Sequence, residues 1–166
     1  MKVQDFIIGY NNKKNKLTIS GGRDAIKDYI KETLNIVEYL PIVDKVHLVS
    51  RVLEGCTTQD GGGIEVDSFQ KYFLFTIAIL QEYTNLEFSQ QEEVYDEYDA
   101  LCSSGLLDII LSIIEDDYAR TNAVLNMMYG DLLNQNNFIN MVKSNFQEIL
   151  NISKQFIDSL PSQFQD

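Results

Sequence analysis

The sequence predicts a mainly α protein: a single-domain bundle of six or seven helices with an N-terminal β-hairpin. Three observations predict it. Apolar residues recur at helical spacing through most of residues 23–160. Strands do not alternate with helices, which disfavours a parallel sheet, and only two prolines, Pro41 and Pro161, interrupt the chain. Residues 1–20 instead alternate around a polar turn. With 166 residues and 45% hydrophobic content, the chain suits one domain over residues 1–166, divided into hairpin (1–20) and bundle (23–160).

The hairpin is expected from "DFIIGY", which offers Phe6, Ile8 and Tyr10 to one face, and "KLTIS", which offers Leu17 and Ile19. "NNKKN" between them is turn chemistry. A lone hairpin is marginal, so this one must pack on the helices or pair with another chain. Phe6 and Ile8 with Lys13, Lys14 and Lys16 at the tip form a candidate contact, the lysines suited to an acidic partner or simply to solvent.

Gly21 and Gly22 separate this unit from "RDAIKDYIKETLNIVEYL", where Ile26, Tyr29, Ile30 and Leu34 fall at helical spacing. Pro41 fits the first turn of the next helix, where its missing N–H costs nothing. The inner stripe of that helix is expected at Val43, Val46, Val49 and Leu53, with Gly55 as terminator. "CTTQDGGGIEVDS" reads as a glycine-rich loop, and Asp67 or Ser68 can cap the next helix. That helix, "SFQKYFLFTIAILQEYTNL", is apolar nearly all round, with Phe69, Phe73, Ile77 and Leu80 on one side, and belongs inside a bundle. A helix ending near Gly105 and a short apolar helix, "LLDIILSII", come next. Glu115, Asp116 and Asp117 open another helix, where the dipole favours acids. Gly130 inside it implies a bend or a close approach. A separate final helix, near 137–160, carries Phe138, Val142, Phe146, Ile149, Ser153, Phe156 and Leu160 on one face.

The net charge of −12 is concentrated: residues 72–119 hold eleven acids and no Lys or Arg. Such a field repels DNA, RNA and anionic membrane, so no direct nucleic-acid partner is expected. No run approaches the ~20 apolar residues of a membrane helix. No secretory signal is evident, and two cysteines, Cys56 and Cys102, suit a reducing compartment, so a protein that is not secreted is expected.

One histidine, His47, excludes multi-histidine metal centres and confines any triad to its surroundings. No phosphate-binding, dinucleotide-binding or metalloprotease motif occurs, and the acids of "DGGGIEVD" miss calcium-loop spacing. No catalytic, cofactor or metal residue is assigned, and no cofactor is expected. The densest feature is "SQQEEVYDEYDALC", with five carboxylates between residues 92 and 99. On a helix, Val94, Tyr98 and Leu101 share the inner face, while Glu92, Asp96 and Asp99 share another, flanked by Glu93 and Glu97. With Glu115, Asp116 and Asp117 these form a candidate acidic interaction face. Solvated helix surface and a face that meets a basic partner both fit the pattern.

The segments "EYLPIVDKVHLVSRVLEGC", "FLFTIAILQEYTNLEF" and "YDALCSSGLLDIILSIIEDDY" together resemble small acidic helical proteins of phages of low-GC bacteria, encoded among virion and assembly genes. The likeness covers residues 38–118, about half the chain. It implies a non-enzymatic phage protein acting through protein–protein contacts, as a virion component of the neck, tail or head–tail group or as an assembly factor. Its partners would be other phage proteins, with an oligomer as one arrangement, in the host cytoplasm or the virion. The alternative, from the acidic region, is an anti-defence inhibitor that mimics nucleic acid and occupies a basic host protein.

Overall fold

The structure, a computed structural model, describes residues 1–60, 63–90 and 92–159. Six helical elements, the first of them two helices joined at a break, and one two-stranded ribbon lie among these residues: α1 (Val3–Leu34), α2 (Ile42–Cys56), β1 (Thr57–Asp60), β2 (Gly63–Val66), α3 (Ser68–Tyr83), α4 (Glu93–Ser103), α5 (Leu106–Ile113) and α6 (Glu115–Ser159).

The expected N-terminal β-hairpin is overturned: residues 3–20 are helical. Two periodicities competed in the same residues. Phe6, Ile8 and Tyr10 alternate, but Val3, Phe6, Ile7 and Tyr10 stand at i, i+3, i+4 and i+7, and this second set is the buried one. Ile8 is 59% exposed. Phe6, expected as a hairpin contact, is core, while Lys13, Lys14 and Lys16 lie exposed along a helix and not at a turn.

The chain does fold back in this region, by another device. Gly22 has φ 62° and ψ −134°, which breaks α1. The Lys13 ammonium lies 4.7 Å from the centre of the Tyr29 ring, and a Cβ on Gly9 would stand 3.7 Å from the Tyr29 hydroxyl. A straight helix would separate residues 13 and 29 by roughly 24 Å. The two halves of α1 therefore run back along one another, joined at a glycine whose backbone side chains rarely permit. The second half stops at Leu34, where Asn35 adopts the left-handed conformation of a helix terminator (φ 49°).

The ribbon sits instead between α2 and α3, within the segment read as a loop. Its strands are antiparallel, with Thr57 opposite Val66 and Gln59 opposite Ile64. The Asn136 side chain of α6 binds its outer edge: Ile64 N–H donates to Asn136 Oδ1 and Asn136 Nδ2 donates to the Ile64 carbonyl, each at 3.0 Å. Asp67 then caps α3, its Oδ1 accepting from Gln70 N–H at 2.9 Å.

α2 is rotated from its expected orientation. Lys45, Leu48, Val49, Val52, Leu53 and Cys56 face inward, while Val43 and Val46 are exposed. Pro41 occupies the position before the first helical residue, and its carbonyl accepts from Lys45 N–H. α6 runs through the expected break as one helix. No proline interrupts residues 115–159, and a Cβ on Gly130 would meet nothing within 4 Å, so this glycine admits no close neighbour. The stripe expected at Phe138, Val142, Phe146, Ile149, Ser153, Phe156 and Leu160 lies outside the described side chains.

One apolar cluster joins these elements. Phe6, Tyr10, Ile30, Leu34, Leu48, Ile79, Leu80, Leu101, Leu106 and Ile110 are among its most deeply buried members. Each such aliphatic or aromatic side chain contributes about 1.5–3 kcal/mol by leaving water.

Candidate interaction surface

The acidic residues separate into two groups with different work. Glu92, which precedes α4, Glu93, Asp96 and Asp99 of α4, and Glu115 and Asp116 of α6, are exposed. Glu97 and Asp117 are buried and committed internally. Glu97 accepts from Ser89 N–H at 2.8 Å and from Ser89 Oγ at 2.9 Å, which closes the loop leading into α4. Nothing in the local sequence marks it; the partner is eight residues back, across a turn.

Asp117 is the hub of a buried polar network. Its Oδ1 receives the Lys45 ammonium at 2.9 Å, and both side chains are 3% exposed. Its Oδ2 accepts from Leu40 N–H and from the Tyr83 hydroxyl, each at 2.8 Å. Thr121 Oγ1 lies 2.9 Å from both the Tyr83 hydroxyl and the Asp117 carbonyl. Lys45 Nζ also donates to the Leu40 carbonyl and sits 4.4 Å from the centre of the Tyr39 ring. Burial pushes the Asp117 carboxyl up, but the hydrogen bonds from Lys45, Leu40 and Tyr83 outweigh it and hold the group below the ordinary carboxylate range. Burial pushes the Tyr83 phenol strongly upward. So α2, α3 and α6 are locked together by ions in the interior. The acid at the start of α6, expected to serve the helix dipole, serves this lock instead. Its sequence signal was Lys45 itself, a charge set among Leu48, Val49 and Val52.

The exposed acids of α4 border an aromatic platform that the helical pattern alone did not reveal. Phe73 is buried; Tyr95 stacks on it with ring centres 4.6 Å apart, Tyr98 meets it edge-on at 5.4 Å and Phe69 stacks at 6.2 Å. The hydroxyls of Tyr72 and Tyr98 stand 3.0 Å apart. Burial, then this bond, pushes the Tyr98 phenol upward. Phe69, expected inside, is 63% exposed, and Tyr72 and Tyr95 are exposed beside it. The spacing of Phe69, Tyr72 and Phe73 at i, i+3 and i+4 was the available signal.

A second group of exposed apolar side chains lies on the rotated face of α2, where Ile42, Val43 and Val46 emerge; Val37 and Tyr39, just before the helix in sequence, are exposed as well. His47 is exposed on the same helix. Cys56 is buried and Cys102 exposed, and neither forms a disulfide. Among the described residues no group of three or more His, Cys, Asp or Glu is placed to hold a metal ion, and no helix is long and apolar enough to cross a membrane.

Comparison with family models, with curated proteins and with solved structures returns no match for this chain.

Proposed function

We propose that the chain acts without catalysis, through protein–protein contacts, as a component of a bacteriophage particle or as an assembly factor in the host cytoplasm. The contact part rests on one observation, the exposed apolar strip of Ile42, Val43 and Val46 on α2, preceded in the chain by the exposed Val37 and Tyr39. Apolar side chains gathered on one exposed helix face have the composition of an interface centre. The phage part rests on the resemblance of residues 38–118. Neck, tail, head–tail and assembly roles all fall within it.

The test is fractionation of infected cells that carry a tagged chain. Recovery with particles or assembly intermediates is expected, and Val43→Lys with Val46→Lys should abolish it while leaving the melting temperature unchanged. A chain found only free in the lysate overturns the reading.

A second reading, an acidic inhibitor of a host nucleic-acid-binding protein, is favoured by Glu92, Glu93, Asp96 and Asp99, which project from α4 with no Lys or Arg between residues 72 and 119. Its contact should weaken steeply with salt. It fails if Gln and Asn replacements of these four acids leave binding to that host protein intact.

A further inference from the structure

The surface of α3 and α4 combines two properties that ordinary solvated surface lacks. Its centre is aromatic: Phe69, Tyr72 and Tyr95 are all exposed, over a buried Phe73. Tyr95 is stacked on Phe73 and still 44% exposed, so its ring is held in place while remaining accessible. Its rim is anionic. Glu92, the residue before α4 with helical φ and ψ, stands three residues before Tyr95, and Asp99 stands four after it, which puts both carboxylates on the helix face of that ring.

Nothing among the described residues neutralises this rim. Among the described residues none of Glu92, Asp96 or Asp99 takes part in an ion pair. Lys71, the sole base in the α3 and α4 sequences, is turned elsewhere, with its ammonium 3.6 Å from the centre of the Tyr129 ring.

We propose that this platform, taken with the protein-contact reading on which the inference rests, docks an arginine-bearing segment of a protein partner. The guanidinium lies over Tyr95 and pairs with Glu92 and Asp99. Arginine suits it better than lysine, because a planar, weakly hydrated cation can stack on an aromatic ring and bind a carboxylate through two parallel hydrogen bonds. Phe69 and Tyr72 supply apolar area for the residues on either side.

The test uses the whole chain, labelled with nitrogen-15, titrated with a capped glycine–arginine repeat peptide and with the same peptide carrying citrulline, the neutral isostere of arginine. Amide shifts should gather on α3 and α4 for the arginine peptide only. Tyr95→Ala should weaken binding roughly tenfold, the order expected for a cation held on a ring. Glu92→Gln with Asp99→Asn should weaken it further and flatten its salt dependence. Tyr95 and Phe69 are exposed but stack on Phe73, so their alanine variants should melt a few degrees below the parent with one cooperative transition, and their binding is compared below that transition. The proposal is overturned if the citrulline peptide binds equally, if Phe69→Ala and Tyr95→Ala bind like the parent, or if Glu115→Gln with Asp116→Asn costs as much as the α4 pair. That last outcome means unspecific attraction to a net-negative chain. Self-association lost in Tyr95→Ala also overturns it, since the occupant is then a second copy. Failure here is separable from failure of the wider reading, because the particle fractionation decides that reading and these pure components decide the surface.

Discussion

The ammonium of Lys45 and the carboxylate of Asp117 meet at 2.9 Å in the interior, although 72 positions separate them in the chain. Such a pair resists the removal of one partner far more than the removal of both. Lys45→Met leaves a buried carboxylate without its cation and should cost about 3–5 kcal/mol. Lys45→Met with Asp117→Leu removes the unpaired charge and should recover part of that loss, the remainder being the Leu40 N–H and Tyr83 hydroxyl left without their acceptor. Urea unfolding of the single and double variants measures the difference; equal losses in all of them contradict the lock.

The same carboxylate gives stability a definite dependence on acid. Asp117 is held below the ordinary carboxylate range in the folded chain. In the window between its folded and unfolded pKa values the unfolded chain binds the extra proton, so stability rises with pH there. The contribution should be complete above the ordinary carboxylate range and should drain away as pH falls through the folded value. Unfolding free energies across the acid range should slope less in the double variant than in the parent.

Glu97 should prove structural although it sits in the acidic run. Glu97→Ala strips the acceptor from both Ser89 N–H and Ser89 Oγ and should cost about 1–3 kcal/mol. Glu97→Gln keeps one acceptor oxygen and should lose less. Neither variant should change arginine-peptide affinity once the chain is folded, whereas the Glu92 and Asp99 replacements should. Chemical denaturation beside the peptide titration separates the two roles.

Two glycines should respond in opposite senses. Gly130 lies inside α6 with nothing near its missing Cβ, so Gly130→Ala should stabilise by about 0.5–1 kcal/mol. Gly22 holds a positive φ at the break of α1, so Gly22→Ala should cost about 1–3 kcal/mol. Thermal melts followed by circular dichroism give both signs.

Local patterns carried much of the helical architecture in the sequence. The α5 helix, the Asp67 cap and the acids opening α6 could be read where they stand, because each depends on neighbours within one turn. The N-terminal region misled because alternation and helical spacing coexist in "DFIIGY", and only burial of Val3 and Ile7 decides between them. The ribbon was hidden because Thr57–Asp60 and Gly63–Val66 are too short to show a period, and the pairing is completed by α6. The observed orientation of α2 buries Leu48, Val49, Val52, Leu53 and Cys56 on one face and brings Lys45 to Asp117, a partner 72 positions away that no window of sequence contains. Of the candidate face, the helical projection separated Glu92, Asp96 and Asp99 from the apolar side. It could not show that Glu97 turns back to Ser89, nor that α3 brings Phe69 and Tyr72 alongside.

The clasp of Asn136 on Ile64 imitates a third strand. A carboxamide presents one N–H donor and one carbonyl acceptor in nearly the same plane as a peptide group, and here it occupies both backbone groups of the residue it faces. A short ribbon with an open border invites another chain to extend it. An intruding strand must first dislodge this side chain, so a single amide on a helix guards the border from stray pairing.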